Sequence, residues 1–328
     1  MMEVSTAKCT LQPGEKPVRG RFAPSPSGRM HLGNVFCALI AWLSVRSAHG
    51  EMVLRVEDLD PDRCRPEYAR QLEEDLLWLG LDWDEGGSRG GVCEPYYQSR
   101  CSEIYRSYYE ILKQKNLLYP CFCSRAELHA AQAPHASDGQ TVYSGRCRSL
   151  SREEAAHFAG VRAPAVRILV PDEVISFTDG HCGVCSQNLA KNCGDFIVRR
   201  SDGVFSYQLA VVVDDLRMGI NQVARGRDLL SSTPRQLYLY RLFQGEAPSF
   251  YHIPLLLAPD GRRLSKREHD LDMGALRARF CPEELLGRLA FLAGLTDTKE
   301  PVRASELIPL FSWDKVPKQD IFVPVSLF

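Results

Sequence analysis

The chain lacks the features that would place it in a membrane. No apolar run among its 328 residues approaches the ~18 residues of a membrane-spanning helix, and residues 1–17 are polar, without the apolar core of a secretion signal. The net charge is only −1, so no overall positive field favours a nucleic acid. These absences predict a cytoplasmic protein that binds neither membranes nor DNA.

Local basic patches are therefore the only candidates for an RNA contact. Two groups of arginines and lysines qualify: Arg262, Arg263, Lys266 and Arg267 in one, and Arg199, Arg200, Arg225 and Arg227 in the other.

Cysteine, in contrast, is abundant, with twelve residues. In a cytosolic chain, cysteines are mostly reduced core residues or metal ligands rather than disulfide partners. We predict reduced core residues at Cys37, Cys64, Cys93, Cys101 and Cys281.

Both common glycine-rich nucleotide motifs, Gly-x-Gly-x-x-Gly and the P-loop, are missing from the N-terminal segment. Instead, residues 21–34 read Arg-Phe-Ala-Pro-Ser-Pro-Ser-Gly-Arg-Met-His-Leu-Gly-Asn, which predicts a strand at 20–23, a proline-stiffened loop and a helix start. Such a unit directs backbone N–H groups and a helix dipole at one point, which suits a phosphate. His31 can donate to phosphate oxygens, and Gly33 lets a ligand approach the backbone.

A second basic motif, Arg-Leu-Ser-Lys-Arg at 263–267, follows a short apolar run and a Pro-Asp-Gly turn. A lysine on a loop just beyond a strand is a mobile cation. Lys266 can therefore neutralise the charge that develops on a leaving pyrophosphate.

Strand and helix patterns alternate along the chain, which predicts an α/β fold with ligands at the carboxyl ends of parallel strands. Predicted strands cover 20–23, 51–56, 117–119, 165–170, 196–198, 207–215 and 253–257. Predicted helices cover 32–48, 66–79, 99–115, 233–243 and 282–292.

Taken together, the two motifs resemble the His-x-Gly and Lys-Met-Ser-Lys-Ser signatures of class I aminoacyl-tRNA synthetases, in the Pro-Ser-Pro-Ser-Gly form of the glutamyl branch. The resemblance extends from Arg19 to about Arg267 and is strongest to the glutamyl-queuosine tRNA(Asp) synthetases. Asn34 replaces the last histidine of the first signature, and Arg263 replaces the first lysine of the second.

This resemblance implies a Rossmann-type parallel sheet with a zinc-bearing insertion and a short C-terminal helical region that contacts the tRNA stem. It implies that His31, Gly33 and Lys266 are catalytic. The same three residues would bind ATP together with Asn34 and Ser265.

An acidic amino acid needs a cation for each carboxylate and an anion for its ammonium group. Arg21, Ser25, Glu57, Tyr207 and Arg225 supply such a set at predicted strand ends and loops. The resemblance implies that glutamate contacts Arg21, Phe22, Ala23, Pro24, Ser25, Glu57, Tyr207 and Arg225. Either arginine could read the side-chain carboxylate, with Arg21 preferred.

A Cys-x-Cys pair at Cys121 and Cys123, followed by Tyr143 and Cys147, could hold one tetrahedral Zn²⁺. The resemblance implies this same ligand set for a structural zinc, while His129 or His135 could replace Tyr143. A second group contains His181, Cys182, Cys185 and Cys193, and we interpret it as coincidental thiols rather than a metal site. Paired carboxylates at Asp58 with Asp60, and at Asp214 with Asp215, suggest Mg²⁺ or, preferably, ion pairs and caps.

The expected domains are a loose leader (1–18), a first catalytic half (19–119), a zinc-bearing insertion (120–195), a second catalytic half with the lysine loop (196–267) and a helical stem-contact region (268–328). Because only 61 residues follow Arg267, no anticodon-binding domain is expected.

The implied function is ATP-dependent activation of L-glutamate without tRNA, followed by transfer to the queuosine of tRNA(Asp), with Mg²⁺ arriving on ATP. One alternative is a shortened glutamyl-tRNA synthetase that charges the tRNA 3′ end. A second is a non-catalytic paralogue that binds glutamate, ATP or RNA.

Overall fold

The computed structural model describes residues 17–124, 142–262, 264 and 271–328. Within these residues, no helix is both long enough and apolar enough to cross a membrane.

Helices and strands alternate through most of the described chain. The helices are α1 (Leu32–Arg46), α2 (Pro66–Trp78), α3 (Ser102–Gln114), α4 (Arg152–Val161), α5 (Tyr207–Arg217), α6 (Thr233–Leu242), α7 (Met273–Arg279), α8 (Pro282–Leu292) and α9 (Ala304–Leu307). The strands are β1 (Arg19–Phe22), β2 (Glu51–Leu54), β3 (Glu85–Gly86), β4 (Leu118–Cys121), β5 (Ala165–Ile168), β6 (Val174–Asp179), β7 (Gly183–Asn188), β8 (Phe196–Arg199), β9 (Gln222–Gly226), β10 (Ser249–Ile253), β11 (Leu256–Leu257) and β12 (Ile321–Phe322).

The central sheet is parallel and has the strand order β10-β9-β1-β2-β3. The chain moves from β1 to β2 on one side and returns on the other side of β1 with β9. A ligand crevice is expected at this switch point, beyond the carboxyl ends of β1 and β9. The predicted α/β fold with a parallel sheet is confirmed.

Helix α1 connects the first two strands and is buried along most of its length. It packs closely on the sheet, because a Cβ on Gly20 of β1 would lie 2.3 Å from Val45 Cγ2. The last turn of α1 is therefore held close to the start of β1.

The segment between the two halves of the parallel sheet forms smaller antiparallel units. Strands β4, β5 and β8 make a three-stranded sheet, and β6 pairs with β7 in a hairpin. The predicted strands at 117–119 and 196–198 exist, but they belong to this antiparallel sheet.

The strand predicted at 207–215 is wrong, because Tyr207–Arg217 is helix α5. Ser206 caps the helix by accepting a hydrogen bond from Leu209 N, and residues 209–215 are all buried. A fully buried helix shows the same unbroken apolar run as a buried strand, so periodicity could not separate the two.

The strand predicted at 253–257 is also divided. Ile253 ends β10, while Leu256 and Leu257 form β11, which pairs with β12 near the C-terminus. The preceding residues 249–252, which the prediction omitted, complete β10.

Candidate active site and metal site

Four predicted side chains converge at the switch point of the sheet. Arg21 lies on β1, Arg225 on β9, Glu57 beyond β2, and Tyr207 at the first position of α5. Burial raises the pKa of Tyr207, and the charges of Glu57 and both arginines also act on its hydroxyl. The structure therefore brings these four groups together where a ligand crevice is expected, although Tyr207 lies on a helix rather than a strand.

Arg55, which sequence analysis missed, balances most of the acidic groups there. Its side chain is 0% exposed, and it contacts Asp215 Oδ1 at 2.5 Å and Glu57 Oε1 at 3.1 Å. Its Nε is 3.8 Å from Asp214 Oδ2. Asp214 and Asp215 are therefore held in ion pairs, as the preferred interpretation predicted.

Arg225 is buried without such compensation. Its Nε donates to His252 Nε2 at 3.0 Å, and its Nη2 donates to Thr233 Oγ1 at 2.9 Å. Its Nη1 is buried and has no hydrogen-bond partner among the described residues. Burial and the charge of Arg21 together lower the pKa of Arg225.

This environment corrects the inclusion of Arg225 in a basic surface patch for RNA. The residue is only 3% exposed, so its guanidinium is buried and is not part of a surface patch.

Arg21 also retains hydrogen-bonding capacity. Its Nε lies 3.6 Å from Asp215 Oδ1 but makes no hydrogen bond to the described residues. A buried N–H without a partner costs free energy that a ligand oxygen can recover. Two arginines with unused donors, next to an acidic group, suit a ligand with two carboxylates and an ammonium group.

The loop after β1 borders this crevice. Glu57 N donates to Pro24 O at 3.0 Å, which places the loop beside Glu57. Ser25 is exposed and Ala23 is half-buried, so both can meet a ligand. The side chain of Phe22 packs in the core on α1, which leaves only its backbone near the crevice.

His31 is the N-cap of α1, and its role there depends on Gly33. His31 Nδ1 accepts from Gly33 N at 3.1 Å, while Asn34 Oδ1 accepts from His31 N at 3.1 Å. In a neutral imidazole, an accepting Nδ1 puts the proton on Nε2, so Nε2 is the donor. A Cβ on Gly33 would lie 3.0 Å from His31 Cε1, so any larger residue pushes against the ring.

The predicted residues Ser265 and Lys266 lie outside the described residues. The described chain after them pairs with the loop before α1, because Asp272 forms a β-bridge with His31 and Met273 N donates to Met30 O at 2.8 Å. The described residues that follow the second motif therefore lie beside the start of α1.

Three predicted metal ligands form a close group near the end of β4. The sulfur atoms of Cys121, Cys123 and Cys147 all lie within 4.8 Å of one another, and Cys123 Sγ is 3.6 Å from Cys147 Sγ. Tyr143 Oη lies 3.6 Å from Cys121 Sγ and 3.9 Å from Cys123 Sγ. In tetrahedral zinc sites, Zn–S bonds of about 2.3 Å imply ligand separations of about 3.8 Å. The donor set therefore fits Zn²⁺.

Arg167 contacts this cluster from β5. Its Nε donates to Cys121 Sγ at 3.2 Å, and its Cζ lies 3.7 Å from the centroid of the Tyr143 ring. Although burial acts in the opposite direction, the hydrogen bond from Arg167 lowers the pKa of Cys121. The alternative ligands His129 and His135 lie outside the described residues.

The second cysteine group has other contacts. Cys182 Sγ donates to His252 O at 3.4 Å, Cys185 Sγ donates to Gly183 O at 3.6 Å, and Cys193 is buried in the core. His181 Nε2 lies 3.1 Å from Pro317 O. In the described part of the chain, the only close trio of potential metal ligands is the one at Cys121, Cys123 and Cys147.

Two further expectations are settled by burial and contacts. Cys281 is exposed at the start of α8, so its assignment to the core is wrong. Asp58 accepts hydrogen bonds from Ser99 N at 2.8 Å and Ser99 Oγ at 2.7 Å, which is a cap rather than a metal site.

Comparison with protein families identifies a matching family model. The model for "tRNA synthetases class I (E and Q), catalytic domain" matches residues 17–323. A protein of Symbiobacterium thermophilum named Glutamyl-Q tRNA(Asp) synthetase is 50% identical over 94% of this chain and 96% of its own length. A protein of the same name from Nitratidesulfovibrio vulgaris is 47% identical over 94% of this chain and 97% of its own length.

Longer relatives also match. A Glutamate--tRNA ligase of Sulfurihydrogenibium sp. is 38% identical over 92% of this chain and 63% of its own length. Among solved structures, a glutamate tRNA ligase from Elizabethkingia meningosepticum, in complex with its amino acid, superposes with a TM-score of 0.80. That match has 30% identity and covers 95% of this chain and 68% of the other.

Proposed function

Because the chain belongs to the class I tRNA synthetases for E and Q, we propose that it activates L-glutamate with ATP and transfers the glutamyl group to tRNA. The observation that carries this proposal is the crevice at the switch point of the sheet. Arg21 and Arg225 are buried there with N–H groups that have no hydrogen-bond partner among the described residues. Glutamate is the amino acid of the family that supplies two carboxylates.

Arg21 and Arg225 each receive one carboxylate of glutamate. Glu57 accepts from its ammonium group, and the phenol of Tyr207 adds a further polar contact. Burial raises the pKa of Glu57, against the opposing charges of Arg55 and Arg21. Arginine suits this task because its planar fork donates two parallel hydrogen bonds to a carboxylate. Ala23, Pro24 and Ser25 close the crevice on the loop side.

In the first step, an oxygen of the α-carboxylate attacks the α-phosphorus of ATP, and the bond to pyrophosphate breaks. No protein nucleophile is needed, so the enzyme acts through positioning and charge stabilisation. His31 donates from Nε2, and the N-terminus of α1 directs its dipole at the phosphates, next to Gly33 and Asn34. Lys266 and Ser265 act from the second motif on the departing pyrophosphate, and Mg²⁺ arrives bound to ATP.

In the second step, we propose that a hydroxyl of the cyclopentenediol of queuosine in the tRNA(Asp) anticodon attacks the glutamyl carbonyl carbon. The bond between this carbon and the phosphate oxygen breaks, and AMP leaves. Two relatives named Glutamyl-Q tRNA(Asp) synthetase support this acceptor, because they share 50% and 47% identity with this chain over 94% of its length. The Glutamate--tRNA ligase of Sulfurihydrogenibium sp. shares 38%. We further propose that activation does not require tRNA, since Arg21, Glu57, Tyr207 and Arg225 all belong to this chain.

Cys121, Cys123, Tyr143 and Cys147 would hold one zinc ion. Bound there, the ion supplies a structural cross-link between β4 and the turn at 146–149, with no role in the reaction. We expect purified protein to contain one equivalent of zinc, and Cys121→Ser to lose it. Cys182→Ser is the matched control and keeps the metal, whereas equal zinc in both variants contradicts the assignment.

Glutamate-dependent exchange of pyrophosphate into ATP, without tRNA, tests the activation step. Lys266→Ala is expected to slow this exchange by about tenfold or more. Unchanged exchange would remove Lys266 from the mechanism, and no exchange in the wild type would indicate a non-catalytic binding protein.

The acceptor is tested separately with labelled glutamate. Nuclease fragments of charged tRNA(Asp) should carry the label on the anticodon stem-loop. Label on the acceptor end would instead show a glutamyl-tRNA synthetase that charges the 3′ end.

A further inference from the structure

Arg225 is oriented by a buried chain of hydrogen bonds that the proposed reaction does not itself require. His252 on β10 is the direct partner of Arg225 on β9 in the sheet register. Paired residues on neighbouring strands point their side chains to the same face. Arg225 Nε donates to His252 Nε2 at 3.0 Å, and the imidazole is 0% exposed.

Asp179 fixes the imidazole from the other side. This last residue of β6 has its Oδ2 at 2.5 Å from His252 Nδ1. Its Oδ1 accepts from the backbone N–H groups of His252, His181 and Cys182 at 3.2, 3.0 and 2.8 Å. These hydrogen bonds hold the pKa of Asp179 at about 2 in spite of its burial.

An ionised carboxylate only accepts hydrogen bonds, so the ring proton of His252 must be on Nδ1. Nε2 then carries no proton, and its lone pair can accept the hydrogen bond from Arg225 Nε. Burial and the charge of Arg225 lower the pKa of His252 to about 4, so the ring is neutral near pH 7.

The consequence is an arginine that keeps its full charge. The neutral ring separates Arg225 from Asp179, and the other bonded neighbour of Arg225 is the hydroxyl of Thr233. Neither partner neutralises the guanidinium. With Nε and Nη2 bonded, Nη1 is the donor left for a ligand.

We propose that Arg225, rather than Arg21, receives the side-chain carboxylate, and that Asp179, His252 and Thr233 are positioning residues that hold Arg225 as a cation without an ion-pair partner among the described residues. This makes the crevice select a carboxylate over a carboxamide, glutamate over glutamine. A buried cation gains far more from a ligand anion than from a neutral amide. The inference rests on the proposed function and explains how the site would select glutamate over glutamine.

Two substitutions at His252 separate positioning from general stability. Asparagine retains a donor for Asp179 but has no acceptor at the Nε2 position. Glutamine places an amide oxygen near that position. His252→Asn should raise the KM for glutamate at least tenfold, leave the KM for ATP unchanged and reduce the preference for glutamate over glutamine. His252→Gln should recover most of that loss.

His181→Asn is the matched control. His181 is also buried and also hydrogen-bonds Asp179 through its backbone, but its ring lies by Pro317 and Trp313. We expect this variant to lower the unfolding temperature without changing the KM for glutamate. An equal rise in KM for both histidine variants would mean general loosening and would overturn the proposal.

Thr233 provides a second test that does not depend on His252 variants folding. Thr233→Val removes the acceptor for Arg225 Nη2 with little change in shape, and Thr233→Ser restores it. The valine variant should raise the KM for glutamate several-fold, and the serine variant should not.

The outcomes distinguish the two levels of the argument. If the wild type shows no glutamate-dependent exchange, the proposed function fails and the inference fails with it. If the wild type is active and the asparagine and valine variants match it in KM and selectivity, only the inference fails.

Discussion

Arg55 and Arg225 are two buried arginines on opposite sides of β1, and their surroundings differ in one respect. Arg55 contacts three carboxylates, from Glu57, Asp214 and Asp215. Arg225 contacts a neutral imidazole and a hydroxyl. Arg55 belongs to a network of ion pairs, whereas Arg225 has no ion-pair partner among the described residues. A buried cation of the second kind identifies a ligand site better than burial or charge alone.

The largest expected effect is on stability, at Arg55. Arg55→Leu removes the buried cation that contacts all three carboxylates, so the free energy of unfolding should fall by about 3–5 kcal/mol. Urea unfolding followed by circular dichroism measures this. A stable Arg55→Leu protein with impaired glutamate binding would reverse the roles of the two arginines.

Arg225→Gln should produce the opposite pattern. It removes no ion pair, so stability should hold, but the KM for glutamate should rise by about a hundredfold because the ligand carboxylate loses its cation. Pyrophosphate exchange measures the KM, and Arg241→Gln, at an exposed pair with Glu173, is the matched control. An unchanged KM in Arg225→Gln would contradict the comparison.

The pH dependence of stability tests the environment of Arg225 through its partner His252. The His252 ring faces Asp179, Thr233 and Arg225, and the charge of Arg21 also acts on it. Its pKa is about 4 in the folded protein, below the value near 6.5 of an exposed histidine. The unfolded chain therefore binds more protons between these values, and stability should fall as the pH drops from 6.5 to 4. The loss is about 3 kcal/mol.

Urea unfolding at a series of pH values checks this, with His252→Asn as the reference. The wild type should lose more stability than the variant over that window. Parallel curves would show that His252 is not held neutral beside Arg225. Asp179, with a pKa of about 2, contributes stability that is lost only at lower pH.

Gly33→Ala should give the smallest effect, and it should change the exchange rate rather than stability or the KM for glutamate. The new methyl group would press on the His31 ring, so exchange should slow by about tenfold while the KM for glutamate stays constant. Gly160→Ala is the control, since a Cβ there meets nothing within 4 Å. A changed KM for glutamate would mean that the His31 end of the crevice also reads the amino acid.

The sequence was sufficient to predict the local structure around those candidate site residues that lie close together along the chain. A strand, a Pro-rich loop and a capped helix start predicted His31 and Gly33, and the cysteine spacing predicted Cys121, Cys123 and Cys147. These signals are contiguous, so a one-dimensional pattern contains them.

Other parts depend on contacts between distant segments. Arg55, Asp179 and His252 looked like ordinary residues because their partners are far along the chain; Asp179 and His252 are separated by 73 positions. Tyr207 was placed on a strand because the buried run after it has no visible helical period. Tertiary packing, rather than propensity, decides such cases.

The account is tested most directly by a crystal structure of the protein with glutamate. It predicts a carboxylate oxygen about 3 Å from Arg225 Nη1, with the contacts of Arg225 to His252 and Thr233 intact and the ion pairs of Arg55 unchanged. A bound glutamate that leaves Arg225 Nη1 without a partner, or that binds through Arg55, would contradict it.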